Sequence, residues 1–311
     1  MVKKIMITGG CGFIGTQVIK KLLTSEEELE IYVIDNLSTG YYSSSLFRDI
    51  HFFWGDIRDE RSKEYIYDVA PDYMIHLAAQ TSVEDAVNNP LNDAAVNIMG
   101  SLKIIDACRK IPNFQNFVFA SSAAVYGENI NSPLKEEELN FPTSPYGQSK
   151  LVIEDYLGLY LKLYNFPYTT LRFANVYGHK ERGADVISIF YKNLVAGKTP
   201  HVFGDGYQTR DYIYIDDIAN AVVTALDIKK NTCFNVSTNE QTTIIQVLNY
   251  LNLILGTNVK PELLLPRLGD IKNSMLSNEK ILLETNWSPE FDLYEGLAIM
   301  HQKELNKDGI V

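Results

Sequence analysis

Residues 5–15 read Ile5-Met6-Ile7-Thr8-Gly9-Gly10-Cys11-Gly12-Phe13-Ile14-Gly15. A short apolar run breaks into glycines, and a helical pattern follows over Gly15–Leu23. Glycines stand at 9, 12 and 15, and those at 10, 12 and 15 also satisfy G-x-G-x-x-G. A tight turn and a close approach of backbone to a pyrophosphate both exclude a Cβ, and a helix N-terminus behind them supplies N–H donors and positive dipole. The next strand-like run, Ile31–Asp35, ends in a carboxylate 20 positions after Gly15, the spacing of a group that binds a ribose 2′-hydroxyl. An acid there favours NAD over NADP, because a 2′-phosphate would meet a like charge. Asp56, in Gly55-Asp56-Ile57-Arg58-Asp59, is placed either to accept from an adenine amino group or to cap its own loop.

Working outward, apolar runs at Ile5–Thr8, Ile31–Asp35, His51–Trp54, Tyr73–Leu77, Phe117–Ser121 and Tyr168–Arg172 alternate with helical patterns at Gly15–Leu23, Arg61–Val69, Asn92–Lys110 and Tyr146–Tyr164. Several runs are continuously hydrophobic, as in strands buried on both faces of a parallel sheet. The alternation predicts right-handed βαβ units: an α/β, Rossmann-type doubly wound sheet over residues 1–178. Beyond 178 the regularity weakens, with helices expected at Val186–Ala196, Asp216–Leu226, Thr243–Leu255 and Asp292–Asn306, short strands between them, and a loop at Leu263–Asp270. This predicts a smaller, irregular α/β domain over 179–311, with a segment near 212–240 returning to the first. The acidic runs Glu26–Glu28 and Glu136–Glu138 read as solvated loop or helix ends.

The 311 residues are 46% hydrophobic and carry a net charge of −11, which excludes disorder and argues against binding nucleic acid or an anionic membrane surface. Cys11, Cys108 and Cys233 are far apart, so neither a disulfide framework nor a cysteine metal site is expected. No stretch has the length of a signal peptide's apolar centre or of a membrane span. A soluble, cytoplasmic protein without a metal is the expectation. His76 and Asn97 read as structural.

A second constellation follows. In Pro142-Thr143-Ser144-Pro145-Tyr146-Gly147-Gln148-Ser149-Lys150, Ser144 suits a helix N-cap and Pro145 its first turn. Tyr146 and Lys150 are then neighbours one turn apart. An ammonium there is expected to lower the phenol's pKa from about 10 and make it a usable general base. The strand before it ends in Ala120-Ser121-Ser122-Ala123-Ala124-Val125-Tyr126-Gly127, at the sheet edge where open α/β folds place ligands. A serine there can share a proton with the phenol and a substrate hydroxyl.

With these motifs the chain resembles the extended short-chain dehydrogenases/reductases, and within them the UDP-sugar 4-epimerases. The resemblance also rests on Asp35-Asn36-Leu37-Ser38-Thr39-Gly40, His76-Leu77-Ala78-Ala79-Gln80, Leu171-Arg172-Phe173-Ala174-Asn175-Val176-Tyr177-Gly178 and Thr209-Arg210-Asp211-Tyr212, and covers essentially the whole chain. It implies that Ser122, Tyr146 and Lys150 are catalytic. It implies an NAD site lined by Gly9, Gly12, Phe13, Ile14, Asp35, Asn36, Asp56, Ile57 and Lys150. Asn175, Arg210 and Arg267 would hold the substrate diphosphate, where planar bidentate donors offset its charge. Residues 179–311 would mainly bind the nucleotide sugar, and the helices at Asn92–Lys110 and Tyr146–Tyr164 would form a homodimer bundle.

Two departures from the family pattern bear on specificity. The usual Arg-Pro-Gly-Asp is Arg267-Leu268-Gly269-Asp270 here. Ser122 is followed by Ala123 and Ala124, where related 4,6-dehydratases carry an Asp-Glu pair that expels a hydroxyl; alanine has no proton to give. The resemblance therefore points to an NAD-dependent 4-epimerase, with a 4-ketoreductase or dehydratase as alternatives and a non-catalytic NAD-binding sensor as a distant one. Seven positions after Arg267 stands Ser274, where a bulky tyrosine in the family excludes N-acetyl sugars. Serine there implies that UDP-GlcNAc or UDP-GalNAc is accepted alongside UDP-Glc or UDP-Gal, unless Leu268 shifts the loop.

Overall fold

Successive residues of the same strands feed two different cores. Ile5, Ile7, Val33, Ile75 and Val118 pack into one with Val18 and Ile19, while Met6, Ile34, Met74, Phe117 and Phe119 pack into another with Ile104 and Ile153. That is the signature of strands covered on both faces. The structure, a computed structural model, describes residues 2–43, 46, 48–128, 132–179, 185–266 and 272–308.

The first half runs β1 (Lys3–Thr8), α1 (Phe13–Leu23), β2 (Leu29–Asp35), β3 (His51–Trp54), α2 (Glu60–Val69), β4 (Tyr73–His76), α3 (Val83–Asn88), α4 (Pro90–Asp93), a π-helical stretch Ala94–Gly100, α5 (Ser101–Cys108), β5 (Asn116–Ser122), α6 (Pro145–Tyr164) and β6 (Tyr168–Phe173). The second half runs β7 (Asn175–Tyr177), α7 (Val186–Val195), β8 (His201–Phe203), β9 (Thr209–Arg210), β10 (Tyr212–Tyr214), α8 (Ile215–Leu226), β11 (Thr232–Val236), β12 (Thr242–Thr243), α9 (Ile244–Leu255), β13 (Glu262–Leu264), α10 (Glu279–Glu284) and α11 (Leu293–Asp308).

Seven parallel strands form the central sheet in the order β11-β6-β5-β4-β1-β2-β3. The order reverses between β1 and β4, with Ile5 opposite both Ile31 and Tyr73. A crevice opens at the strand C-termini of such a switch point. Strand β11, late in sequence, completes the sheet beside β6. A third core gathers Tyr177, Phe190, Tyr214, Val247, Leu251 and Leu297 from the second half.

Three expectations are corrected here. Leu263 lies in β13, paired parallel to β8, because backbone groups at Glu262–Leu264 find partners at His201–Phe203; residues 267–270 of that expected loop lie outside the described residues. The helix expected at Asn92–Lys110 starts at Pro90, passes through the π stretch and stops at Cys108. Glu136 is not a solvated end. It is half-buried, and its carboxylate accepts from Asn235 N at 2.8 Å.

Candidate active site

The turn after β1 is shaped by what cannot fit in it. Gly9 has φ +73°, and a Cβ on it would stand 2.7 Å from the backbone nitrogen of Ala78, just beyond β4. A Cβ on Gly15 would overlap the carbonyl oxygen of Gly9. The loop can therefore lie flat against the switch point only as glycine. Gly12 is the N-cap of α1, which has no side-chain cap and no acid in its first turn. Its first N–H groups are thus left to an anion.

Asp35 closes this end. The residue is 8% exposed, and its carboxylate accepts from Cys11 N at 2.9 Å and Leu37 N at 2.7 Å. Burial raises its pKa, against those two bonds. Asn36 links it to the next strand by donating to Asp56 at 2.8 Å. Asp56 also takes Arg58 in a fork, Nε at 2.9 Å and Nη2 at 2.8 Å, and those bonds hold its pKa at about 2. With Arg58 N as a fourth donor at 2.9 Å, the acceptor positions of Asp56 are filled, so an adenine amino group would have to displace one of them. Ile57 is buried beside it.

Ser144 caps α6 as expected, accepting from Gly147 N at 3.1 Å. The helix presents Tyr146 to the cleft at the end of β5, where Ser122 also lines the wall and its hydroxyl accepts from Ala124 N at 3.2 Å. Lys150 is 5% exposed; its Nζ donates to Ala120 O at 2.8 Å and lies 5.9 Å from the Tyr146 ring centre. Here the electrostatic expectation is corrected. The phenol's pKa is raised, first by burial and then by the charge of Asp93, with only the Ser122 hydroxyl opposing. Lys150 spends its ammonium on a backbone carbonyl, and burial lowers its own pKa to about 8. Proximity of a cation along a helix does not outweigh desolvation.

Asp93 and Gln80 form a layer that the sequence reading missed. Asn97, in the π stretch, donates to Asp93 Oδ1 at 3.0 Å, to Gln80 O at 3.0 Å and to Ser149 Oγ at 3.2 Å. It accepts from Gln80 N at 2.8 Å. The signal was the spacing of Asp93 and Asn97, four apart on one helix face. His76 bridges Thr8 Oγ1 at 2.6 Å and Ser101 Oγ at 2.8 Å; burial takes its pKa to about 3, so it stays neutral.

At the opposite end, Asn175 opens β7 and is exposed to the cleft, and Arg210 lies in β9, its Nη1 donating to Thr209 O at 2.8 Å. Ser274 is half-buried in the segment that runs beside β9, where Thr209 N donates to Lys272 O at 2.8 Å. Buried Asp211 pins that segment, accepting from Leu276 N at 3.3 Å and from Thr238 Oγ1 at 2.9 Å. Arg267 lies outside the described residues. A single cleft of about 1510 Å³ is lined at its two ends by these groups: Gly9, Gly12, Phe13, Ile14, Asp35, Asn36, Asp56 and Ile57 at one, Asn175, Arg210 and Ser274 at the other, with Ser122, Tyr146 and Lys150 between.

The NAD dependent epimerase/dehydratase family matches residues 5–237. The chain belongs to this family. Several solved members superpose over nearly their whole length. A UDP-glucose 4-epimerase of Thermotoga maritima, solved with UDP-glucose, is 36% identical with TM-score 0.93, the match covering 98% of this chain and 99% of that one. A UDP-N-acetylglucosamine 4-epimerase of Methanobrevibacter ruminantium, solved with UDP-N-acetylmuramic acid, is 32% identical with TM-score 0.91 over 98% and 99%. A UDP-glucose 4-epimerase of Thermus thermophilus in complex with NAD is 32% identical with TM-score 0.88 over 99% and 100%. As a member of the epimerase/dehydratase family the chain is an NAD-dependent enzyme. The glycine cradle, the uncapped start of α1 and buried Asp35 fit that cofactor.

Proposed function

We propose that this enzyme is a 4-epimerase of UDP-sugars. The observation that carries the reading is that Ser122 and Tyr146 line one cleft whose adjoining wall is Ala123 and Ala124. The wall offers a proton relay at one carbon and no acid to expel a neighbouring hydroxyl, which supports epimerisation over dehydration. NAD, when bound, supplies the hydride acceptor and donor. Tyr146, as phenolate, takes the proton of the C4 hydroxyl with Ser122 in the relay, and Lys150 holds positive charge behind it. Because burial and Asp93 raise the phenol's pKa further from neutrality, the base form is expected to need the charge of the filled site. Asn175, Arg210 and Arg267 hold the diphosphate, and the 4-keto sugar turns about it and takes back hydrogen on its other face.

In this reading residues 1–178, with the return segment near 212–240, carry the cofactor and the rest mainly the nucleotide sugar. Ser274 lies beside Asn273, which accepts from Thr209 Oγ1 at 3.2 Å, and its small side chain leaves room at C2 for an N-acetyl group. The Methanobrevibacter relative, named for an N-acetylated substrate, supports this. Ser274→Tyr should remove N-acetyl activity and spare the plain hexose, as steady-state rates on both substrates would show. A homodimer is supported by apolar side chains left exposed on the helices flanking the site, Leu91 at 82% and Met99 at 59%, and Leu159 and Leu163 on α6. Three free cysteines suit a reducing cytoplasm. The test is incubation with UDP-Glc, UDP-Gal, UDP-GlcNAc and UDP-GalNAc without added cofactor, followed by NMR. Epimer pairs are the expected outcome; a 4,6-dehydrated product, or turnover only with added NAD(P)H, would overturn the reading.

A further inference from the structure

Glu154 stands one turn beyond Lys150 on α6 and has no part in the proposed chemistry, yet it is built into the interior. Its side chain is 10% exposed and faces Arg172, 5% exposed, in β6. The guanidinium meets the carboxylate as a fork: Nη2 donates to Oε2 at 2.6 Å, and Nε to Oε1 and Oε2 at 3.1 and 3.2 Å. The same Oε1 accepts from Ser121 Oγ at 2.5 Å, the residue before Ser122. On the far side, Arg172 Nη1 donates to Glu136 O at 3.2 Å, and the Glu136 carboxylate takes Asn235 N. Asn235 Nδ2 then donates to Leu134 O at 2.9 Å and Ser277 O at 3.2 Å. Tyr126 completes the layer, its ring 4.7 Å from the guanidinium carbon and its hydroxyl donating to Asn235 Oδ1 at 2.7 Å.

A continuous chain of bonds thus joins the strand end that carries Ser122, the helix that carries Tyr146 and Lys150, and the segment that carries Ser274. A buried ion pair is weak evidence for stability, since an apolar pair of similar volume often does as well. What the fork adds is direction: it fixes angle as well as distance. Proton transfer is sensitive to that, because misplacement by about 1 Å can cost on the order of 10²-fold in rate.

We infer that the Glu154–Arg172 pair is a positioning unit that holds Ser122, the Tyr146–Lys150 helix and the 272–278 segment in one reactive geometry. The inference rests on the epimerase reading above and extends it to residues that touch neither cofactor nor sugar. The test replaces both charges together in the full-length protein, as Glu154→Leu with Arg172→Met, so that neither is left unpaired. The expected result is a Tm within about 4 °C of wild type, unchanged NAD content by absorbance, KM within about threefold, and kcat lower by roughly 10- to 100-fold. A purely structural pair would move Tm and kcat together or neither, so a folded double variant with wild-type kcat overturns the inference. If the double variant does not fold, Arg172→Lys decides, since it keeps the charge but not the fork: kcat about tenfold lower supports the positioning role, and unchanged kcat refutes it. Wild-type protein that epimerises no UDP-sugar would instead bring down the functional reading itself.

Discussion

The two ends of the cleft are built differently. The end proposed for the cofactor is mostly local: Gly9, Gly12 and Gly15 stand close together at the junction of β1 and α1, and Asp35 comes from the neighbouring parallel strand to hold Cys11 N. The end proposed for the sugar is assembled from distant pieces. Arg210 in β9, Ser274, and the backbone at Leu276 are brought together by Asp211, by Thr238 and by the bridge between Leu134 and Leu276. A site of the first kind can be moved between sequences as a motif. A site of the second kind depends on contacts spread over the fold, and such contacts are where substrate choice can vary without disturbing cofactor binding.

The strongest test acts where the two ends meet. Tyr146→Phe removes the proton acceptor and leaves the ring, so turnover should fall by on the order of 10² or more while NAD content stays unchanged. Near-normal turnover would rule out the proposed base. Next comes the sugar end. Asp211→Ala leaves Leu276 N and both Thr238 donors without their acceptor, and the sugar KM should rise on the order of 30-fold, about 2 kcal/mol. NAD retention should not change; a joint loss would mean that the two ends are not independent.

Asp35→Ala probes the other end alone. NAD binding should weaken by roughly tenfold and discrimination against NADP should relax, read by titration of each cofactor, with the sugar KM unaffected. Unchanged selectivity would show that Asp35 is not on the ribose. The last test leaves turnover aside and concerns the stability of the sheet beneath both ends. His76 is held neutral with its pKa taken to about 3, below the unfolded value of about 6.5. Its contribution to stability is present above pH 6.5 and is lost as pH falls toward 3, with a slope of at most about 1.4 kcal/mol per pH unit. His76→Gln should therefore flatten the acid side of a Tm-against-pH curve. Asp211 and Asp217, both raised to about 6 by burial, act in the opposite sense, but they are common to both proteins and cancel in the comparison.

By itself the sequence determined whatever depends on neighbours along the chain. The glycine spacing, the capped start of α6 and the strand–helix alternation all follow from backbone sterics and periodicity, which act over a few residues. That was enough for the sheet, for the glycine turn before α1, and for placing Tyr146 beside Lys150. Only the tertiary structure decided what burial and distant partners set. It put Lys150's ammonium on Ala120 O, and desolvation with Asp93 turned the phenol's pKa upward. It drew Glu136 out of an apparently solvated acidic run to meet Asn235, and it pulled residues 262–264 into a strand with β8. Solvent exclusion and long-range pairing arise only when segments far apart in sequence pack together, and no local pattern encodes which segments those will be.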